Sequence, residues 1–174
     1  VNYSAEWKRQ IGYEENEITD DFSEWKNRVH PDDLDRTMNN INEYIKNPSG
    51  NFEQIFRFRH KDGRYLWILT KGSAINDKSG KPVRMMGSHL DITDLKMLEI
   101  ERENTIEFLN LINSSRDLVG LIKSSVSFFQ KKSGFEAIGI RLHNGDDYPY
   151  YEVRGFPPEF ILAENTLCAR NTDG

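Results

Sequence analysis

The chain has 174 residues, 23 lysines and arginines against 28 aspartates and glutamates, and a formal net charge of −5. That length admits one medium domain or two small ones. The acidic balance argues against nucleic acid as the main partner, because phosphate recognition needs concentrated Lys and Arg. No run of 18 apolar residues occurs, so no segment reads as a membrane span or membrane contact. The first ten residues lack the charged-then-apolar layout of a secretory signal. The one cysteine, Cys168, forbids an internal disulfide and a Cys-based zinc site, and fits a reducing, cytoplasmic compartment. The chain opens on Val1 rather than Met and closes in a polar turn, so it reads as a fragment of something longer.

Residues 1–3 read as a short extended piece. Ser4 then caps a helix of one to two turns that Gly12 stops. A second short helix is expected over residues 21–28. His30-Pro31-Asp32-Asp33 marks the start of a longer one: proline suits the first turn, where its missing N–H has no partner to lose, and the aspartates meet the positive end of the helix dipole. Leu34, Met38, Ile41 and Ile45 form one apolar stripe, and Pro48-Ser49-Gly50 ends the helix.

Three strands follow between residues 51 and 92, separated by turns at Lys61-Asp62-Gly63 and Asp77-Lys78-Ser79-Gly80. In the first strand Phe52, Gln54, Phe56 and Phe58 share one side, and Glu53, Ile55, Arg57 and Arg59 the other. The second is apolar on both sides, with Tyr65, Trp67 and Leu69 backing onto Leu66 and Ile68, so both faces are expected to be covered. The third ends in Gly87-Ser88-His89-Leu90-Asp91-Ile92-Thr93 and runs straight into a polar helix.

This strand–turn–strand–turn–strand–helix run, with its closing Gly-x-x-x-Asp-Ile-Thr, resembles the C-terminal half of a PAS domain, including the PAC motif at its end. The resemblance implies an α+β fold: a PAS-like antiparallel sheet with short helices. PAS sheets have five strands, and the chain offers too little before the first helix for all of them, so the first strand is expected to be missing and one edge of the 83–92 strand unpaired or closed by a bent segment of residues 1–3. The resemblance also implies a central cavity. His89 then points into it, and Phe56, Phe58, Trp67 and Met85 are the other pocket candidates. Asp91, Ile92 and Thr93 form the junction that couples the cavity to the outgoing helix, with Thr93 capping that helix.

From Thr93 to about Ser114 the pattern is helical. Ile92, Leu95, Leu98, Leu109 and Ile112 nearly keep a seven-residue repeat, with Arg102 and Thr105 interrupting the seam. A homodimeric coiled coil and a solvated linker both fit. After a break at residues 113–117, Leu118, Leu121, Ile122, Val126 and Phe129 mark another amphipathic helix that Gly134 caps. Two strands follow, over residues 136–142 and 148–154, and a short helix starts at Pro157-Pro158. This order, and the wording from Ser133 to Arg170, resembles the opening of a GAF domain as found after PAS domains in multidomain sensor histidine kinases. The expected organisation is a PAS domain over residues 1–94, a connecting helix over 95–114 and a partial GAF unit over 115–174.

No catalytic residue and no metal site are expected. The four histidines are scattered without ligand spacing. His30, His60 and His143 read as helix-start or turn residues, and the pairs Asp32-Asp33 and Asp146-Asp147 sit where helix starts and turns favour Asp. No phosphate-cradling glycine loop or nucleophile elbow is present. The resemblance leaves the cofactor unspecified. It excludes LOV-type flavin photochemistry, which needs a cysteine in the PAS half, and Cys168 reads as a small apolar structural residue. The residues present thus read as the non-enzymatic sensory segment of a signalling protein, with a small-molecule ligand in the PAS cavity and a histidine kinase output beyond. A ligand-free dimerisation scaffold and the sensor of a diguanylate cyclase stand as alternatives.

Overall fold

The computed structural model describes residues 1–167; Cys168 and the polar end of the chain lie outside them. The chain divides into two compact units, Val1–Glu99 and Ile100–Gly174. The first contains α1 (Ala5–Gln10), α2 (Phe22–Lys26), α3 (Pro31–Lys46) and an antiparallel sheet of β1 (Phe52–Arg59), β2 (Tyr65–Asn76) and β3 (Pro82–Asp91), in the order β1-β2-β3. Residues 1–3 form no strand. Among the described residues β3 therefore has a strand partner on one edge only, as the sequence led us to expect.

Local chemistry sets the helix ends. The Ser4 side chain accepts from the Trp7 backbone N–H, Asp21 caps α2 through Ser23 N–H, and His30 Nδ1 accepts from Asp32 N–H ahead of Pro31. Gly12 closes α1 at φ +83°, and a Cβ there would come within 2.5 Å of the His60 ring. Only glycine meets both demands. The Ile11 carbonyl just before it accepts from Lys61 N–H, which pins the end of α1 to the β1–β2 turn.

The sheet register decides which residues meet. Phe56 pairs with Ile68, Phe58 with Leu66 and Arg57 with Trp67. Phe56, Phe58, Leu66 and Ile68 therefore share the face covered by the helices, where they form one core with Ile11, Ile18, Trp25 and Val29. Trp25 meets Phe56 edge-on at 5.5 Å between ring centres. The opposite face, carrying Tyr65, Met86 and Leu90, is exposed.

The second unit is built more sparingly. Helix α4 (Thr93–Ser114) runs unbroken across the unit boundary, followed by α5 (Leu118–Ser133), the hairpin strands β4 (Ile138–Arg141) and β5 (Tyr150–Arg154), and α6 (Pro158–Ala163). Asp117 caps α5, and Gly134 ends it in the left-handed conformation. The hairpin is shorter than the sequence pattern implies, because Leu142 and Pro149 continue with one backbone bond but no regular ladder. Among its described residues, Ile122, Val126 and Phe128 are the buried apolar ones, with Phe108 packed at 5.2 Å from Phe128.

A two-stranded hairpin on so small a core is marginal in water. Hydrogen exchange should show fast amides in β4 and β5 and strong protection at residues 56–59 and 67–69. Equal protection in the two regions would contradict this account.

Candidate functional site

His89 lies near the end of β3, in register with Thr70 of β2, on the helix-covered face. Its ring stands edge-on to Phe56 at 5.6 Å and to Phe58 at 5.8 Å. Trp7 of α1 donates its indole Nε1–H to His89 Nδ1 at 2.9 Å. Because Nδ1 is the acceptor, the neutral ring carries its proton on Nε2. Gln10, one turn further along α1, donates to the His89 carbonyl oxygen. Tyr3 stacks on Trp7 at 4.0 Å and holds the indole in place. Burial among aromatic rings pushes the His89 pKa down to about 4, so the imidazole is neutral near pH 7.

The structure brings four of the five pocket candidates to this face. Phe56 and Phe58 flank His89, and Met85 sits on the same side of β3, four residues before it and opposite Ala74. Trp67 is the exception. With Leu66 and Ile68 turned to the core, the period of two puts Trp67 and Tyr65 on the other face. There Trp67 lies under the Arg57 guanidinium at 5.8 Å. Both faces of β2 being apolar, composition alone did not say which was inside.

The junction residues are all engaged. Ile92 N–H donates to the Trp67 carbonyl at 2.8 Å, continuing the β2–β3 ladder by one bond. The Thr93 hydroxyl accepts from Trp67 N–H at 2.9 Å, and both the hydroxyl and the backbone N–H of Thr93 donate to Asp91 Oδ1. The cap expected of Thr93 therefore belongs to Asp91. The Thr93 oxygen instead stands in for the strand carbonyl that β3 ceases to supply once the helix begins.

Several buried polar contacts were not read from the sequence. Asp33, buried near the start of α3, accepts from the Arg57 backbone N–H at 2.9 Å and from its guanidinium at 3.0 Å on both oxygens. The Arg57 guanidinium holds the Asp33 carboxyl below its ordinary range. An arginine on a strand facing an Asp-Asp helix start was the available signal. Lys8 is buried, and its ammonium binds the Glu15 and Ile18 carbonyls and Asp20. Gln54, 6% exposed, donates Nε2–H to the buried Thr37 hydroxyl, while its Oε1 meets no donor. Such an orphan costs about 1–3 kcal/mol, and a glutamine amid Phe52, Phe56 and Phe58 was visible in the strand pattern. Among the described residues there is no group of acidic, His or Cys side chains fit to hold a metal, and no helix long and apolar enough to cross a membrane.

The sequence pattern of the PAS fold matches residues 1–89. The chain is 35% identical over 86 residues to the peroxide stress-activated histidine kinase mak1 of Schizosaccharomyces pombe. That match covers 48% of this chain and 5% of the kinase. Among solved structures, a sensory box histidine kinase/response regulator from Burkholderia thailandensis is similar at 30% identity and a TM-score of 0.53, over 62% of this chain and 79% of that one. The N-terminal domain of a diguanylate cyclase with PAS/PAC sensor from Marinobacter aquaeolei is a weaker likeness, at 24% identity and a TM-score of 0.44, over 49% of this chain and 77% of that one.

Two outcomes follow from this geometry. The unfolded chain binds a proton on His89 below about pH 6.5, whereas the folded one binds it only near pH 4. Stability therefore falls as pH drops through that window, by at most about 3 kcal/mol, and this contribution levels off below it. Asp33 acts lower, because a carboxylate held down by its partner loses stability only below about pH 4. Urea unfolding from pH 7 to 4.5 should thus show a slope that His89→Gln, which keeps an acceptor for Trp7, largely removes. Thr93→Val should cost about 1–2 kcal/mol and speed exchange of the Trp67 amide. Unchanged exchange there would show that the hydroxyl is dispensable.

Proposed function

The chain belongs to the PAS fold family, and from that premise we propose that it is the sensory segment of a signal-transduction protein with a histidine kinase output. The PAS fold is a sensory module, and PAS domains commonly bind small ligands and dimerise. The observation that carries the reading is the continuity of contacts from the core face to the outgoing helix. Trp7 and Gln10 hold His89 on β3. Two residues on, Asp91 and Thr93 tie the first turn of α4 to the backbone of β2. A ligand that prefers one packing of α1 on His89 thereby biases the start of α4, which is a population shift.

In this reading residues 1–94 are the PAS domain with its PAC ending, 95–114 a signalling helix and 115–174 the beginning of a GAF domain, within a cytoplasmic part of the parent protein. The apolar seam of α4 supports dimerisation: Leu95, Leu98, Leu109 and Ile112 are 64%, 63%, 51% and 39% exposed in the single chain. A second reading, a ligand-free scaffold, draws support from the complete burial of Phe56 and Phe58. A diguanylate cyclase is the alternative output.

Sedimentation tests the seam. Replacing Leu109 and Ile112 together with Glu should convert dimer to monomer, since each charge would sit in an apolar seam. A monomer–dimer balance that does not change assigns α4 to a solvated linker.

A further inference from the structure

The turn between β4 and β5 carries the one Asn-Gly step of the chain, Asn144-Gly145. Asn144 N–H donates to the Asp147 carbonyl at 2.9 Å, and Asp147 N–H to the Asn144 carbonyl at 3.3 Å. Gly145 and Asp146 are therefore the two central residues of a tight hairpin turn. Gly145, at φ +63°, supplies the positive φ needed at the first of them. The turn is also tied to the chain further on, because Asp147 Oδ1 accepts from Leu167 N–H at 2.9 Å.

An asparagine side chain cyclises when the backbone nitrogen of the next residue reaches its carbonyl carbon. Glycine favours this, because no Cβ hinders the approach and the backbone rotates readily. Both partners are available in this turn. Asn144 and Gly145 are exposed, and a Cβ on Gly145 would meet nothing within 4 Å. Among the described residues neither the Asn144 side-chain amide nor the Gly145 N–H makes a hydrogen bond. Other asparagines followed by small or polar residues differ on this point. Asn76 precedes Asp77, whose N–H donates to the Lys81 carbonyl at 2.8 Å. Asn113 precedes Ser114 inside α4, where the helical ladder engages the N–H.

We propose that Asn144 is a site of spontaneous deamidation in the folded chain, and that its isoaspartyl product unlocks the tip of the hairpin. Base removes the Gly145 N–H proton, and the nitrogen attacks Asn144 Cγ. The N–Cγ bond forms, the Cγ–Nδ2 bond breaks, and the side-chain nitrogen leaves as ammonia, carrying a proton in place of the one removed. Water then opens the succinimide ring: its hydroxyl goes to one carbonyl carbon and its hydrogen to the Gly145 nitrogen. Nothing is oxidised or reduced. Opening at Cγ gives aspartate. Opening at the main-chain carbonyl gives isoaspartate, whose backbone runs through Cβ and Cγ. Either product adds one negative charge to a chain already at −5. Only isoaspartate lengthens the turn by a methylene, and it turns the Asn144 main-chain carbonyl, the acceptor for Asp147 N–H, into a carboxylate beside the chain. A turn of two central residues cannot absorb that length and keep its closing bonds, so the Asp147–Leu167 tie loosens with it.

Peptide mass mapping of the whole folded chain, aged at mildly alkaline pH, tests this. Asn144 should gain the mass of amide-to-acid exchange at least tenfold faster than Asn76 or Asn113, and an isoaspartyl methyltransferase should label the product. The rate should rise with pH, because the attacking nitrogen must first lose its proton. Gly145→Ala should suppress the conversion; Asn144→Gln, whose longer side chain cyclises poorly, should do so with the glycine turn intact if the first variant disturbs the hairpin. In amide NMR spectra the Asp147 and Leu167 signals should move further in the isoaspartyl chain than in Asn144→Asp, which carries the charge without the added methylene. Conversion at Asn144 only in urea, conversion no faster than at Asn76 and Asn113, or matching spectra of the isoaspartyl and Asn144→Asp chains would overturn the proposal.

Discussion

The pairing register of β1, β2 and β3 is the constraint from which the first unit is built. A strand turns alternate residues to opposite faces, so a slip of one residue would exchange every inward side chain for an outward one. In the register found, Phe56 opposite Ile68 and Phe58 opposite Leu66 give the helices an apolar surface to cover. The same register brings His89 beside Phe56 and Phe58, and turns Arg57 to the other face beside Trp67, while its backbone N–H and guanidinium donate to Asp33. Core, candidate site and ion pair are therefore consequences of one choice of pairing.

Energetics favour different roles for the polar groups on the two faces. Arg57 and Asp33 meet through a paired, charge-assisted geometry with a backbone donor included, so neither charge is left uncompensated. On the core side His89 has one good partner in Trp7 and remains neutral, while Gln54 is half satisfied. Incompletely matched polar groups in an otherwise apolar face cost stability, and natural proteins concentrate such costs where function needs them. On the outer face Met86 and Leu90 are exposed, Leu90 just before the point where β3 gives way to α4.

The second unit contrasts with the first in how little it buries. One amphipathic helix and a short hairpin leave Leu118, Phe135 and Leu162 exposed. Its local signals are nonetheless consistent, with Asp117 at the start of α5, Gly134 at its end and a positive-φ glycine, Gly145, in the hairpin turn. Good local signals make elements; a stable unit also needs enough apolar area to bury.

Most elements of this chain were legible because each rests on short-range chemistry: a serine or aspartate before a helix, a proline in its first turn, glycines at turns, and alternation along β1. The strand-to-helix junction was legible for the same reason, as a contiguous string from Gly87 to Thr93. What tertiary structure alone decided were pairings between residues far apart in sequence. Leu66 and Ile68 rather than Trp67 face the core, although β2 is apolar on both sides, because the core residues of β1 select one face. Trp7 reaches His89 across 82 positions, Lys8 binds a loop that its own charge gave no reason to expect, and Thr93 gives its oxygen to β2 instead of to its own helix. Local propensity is written in neighbouring residues, whereas the partner of a buried polar group is set by which surfaces meet, and that depends on the whole fold.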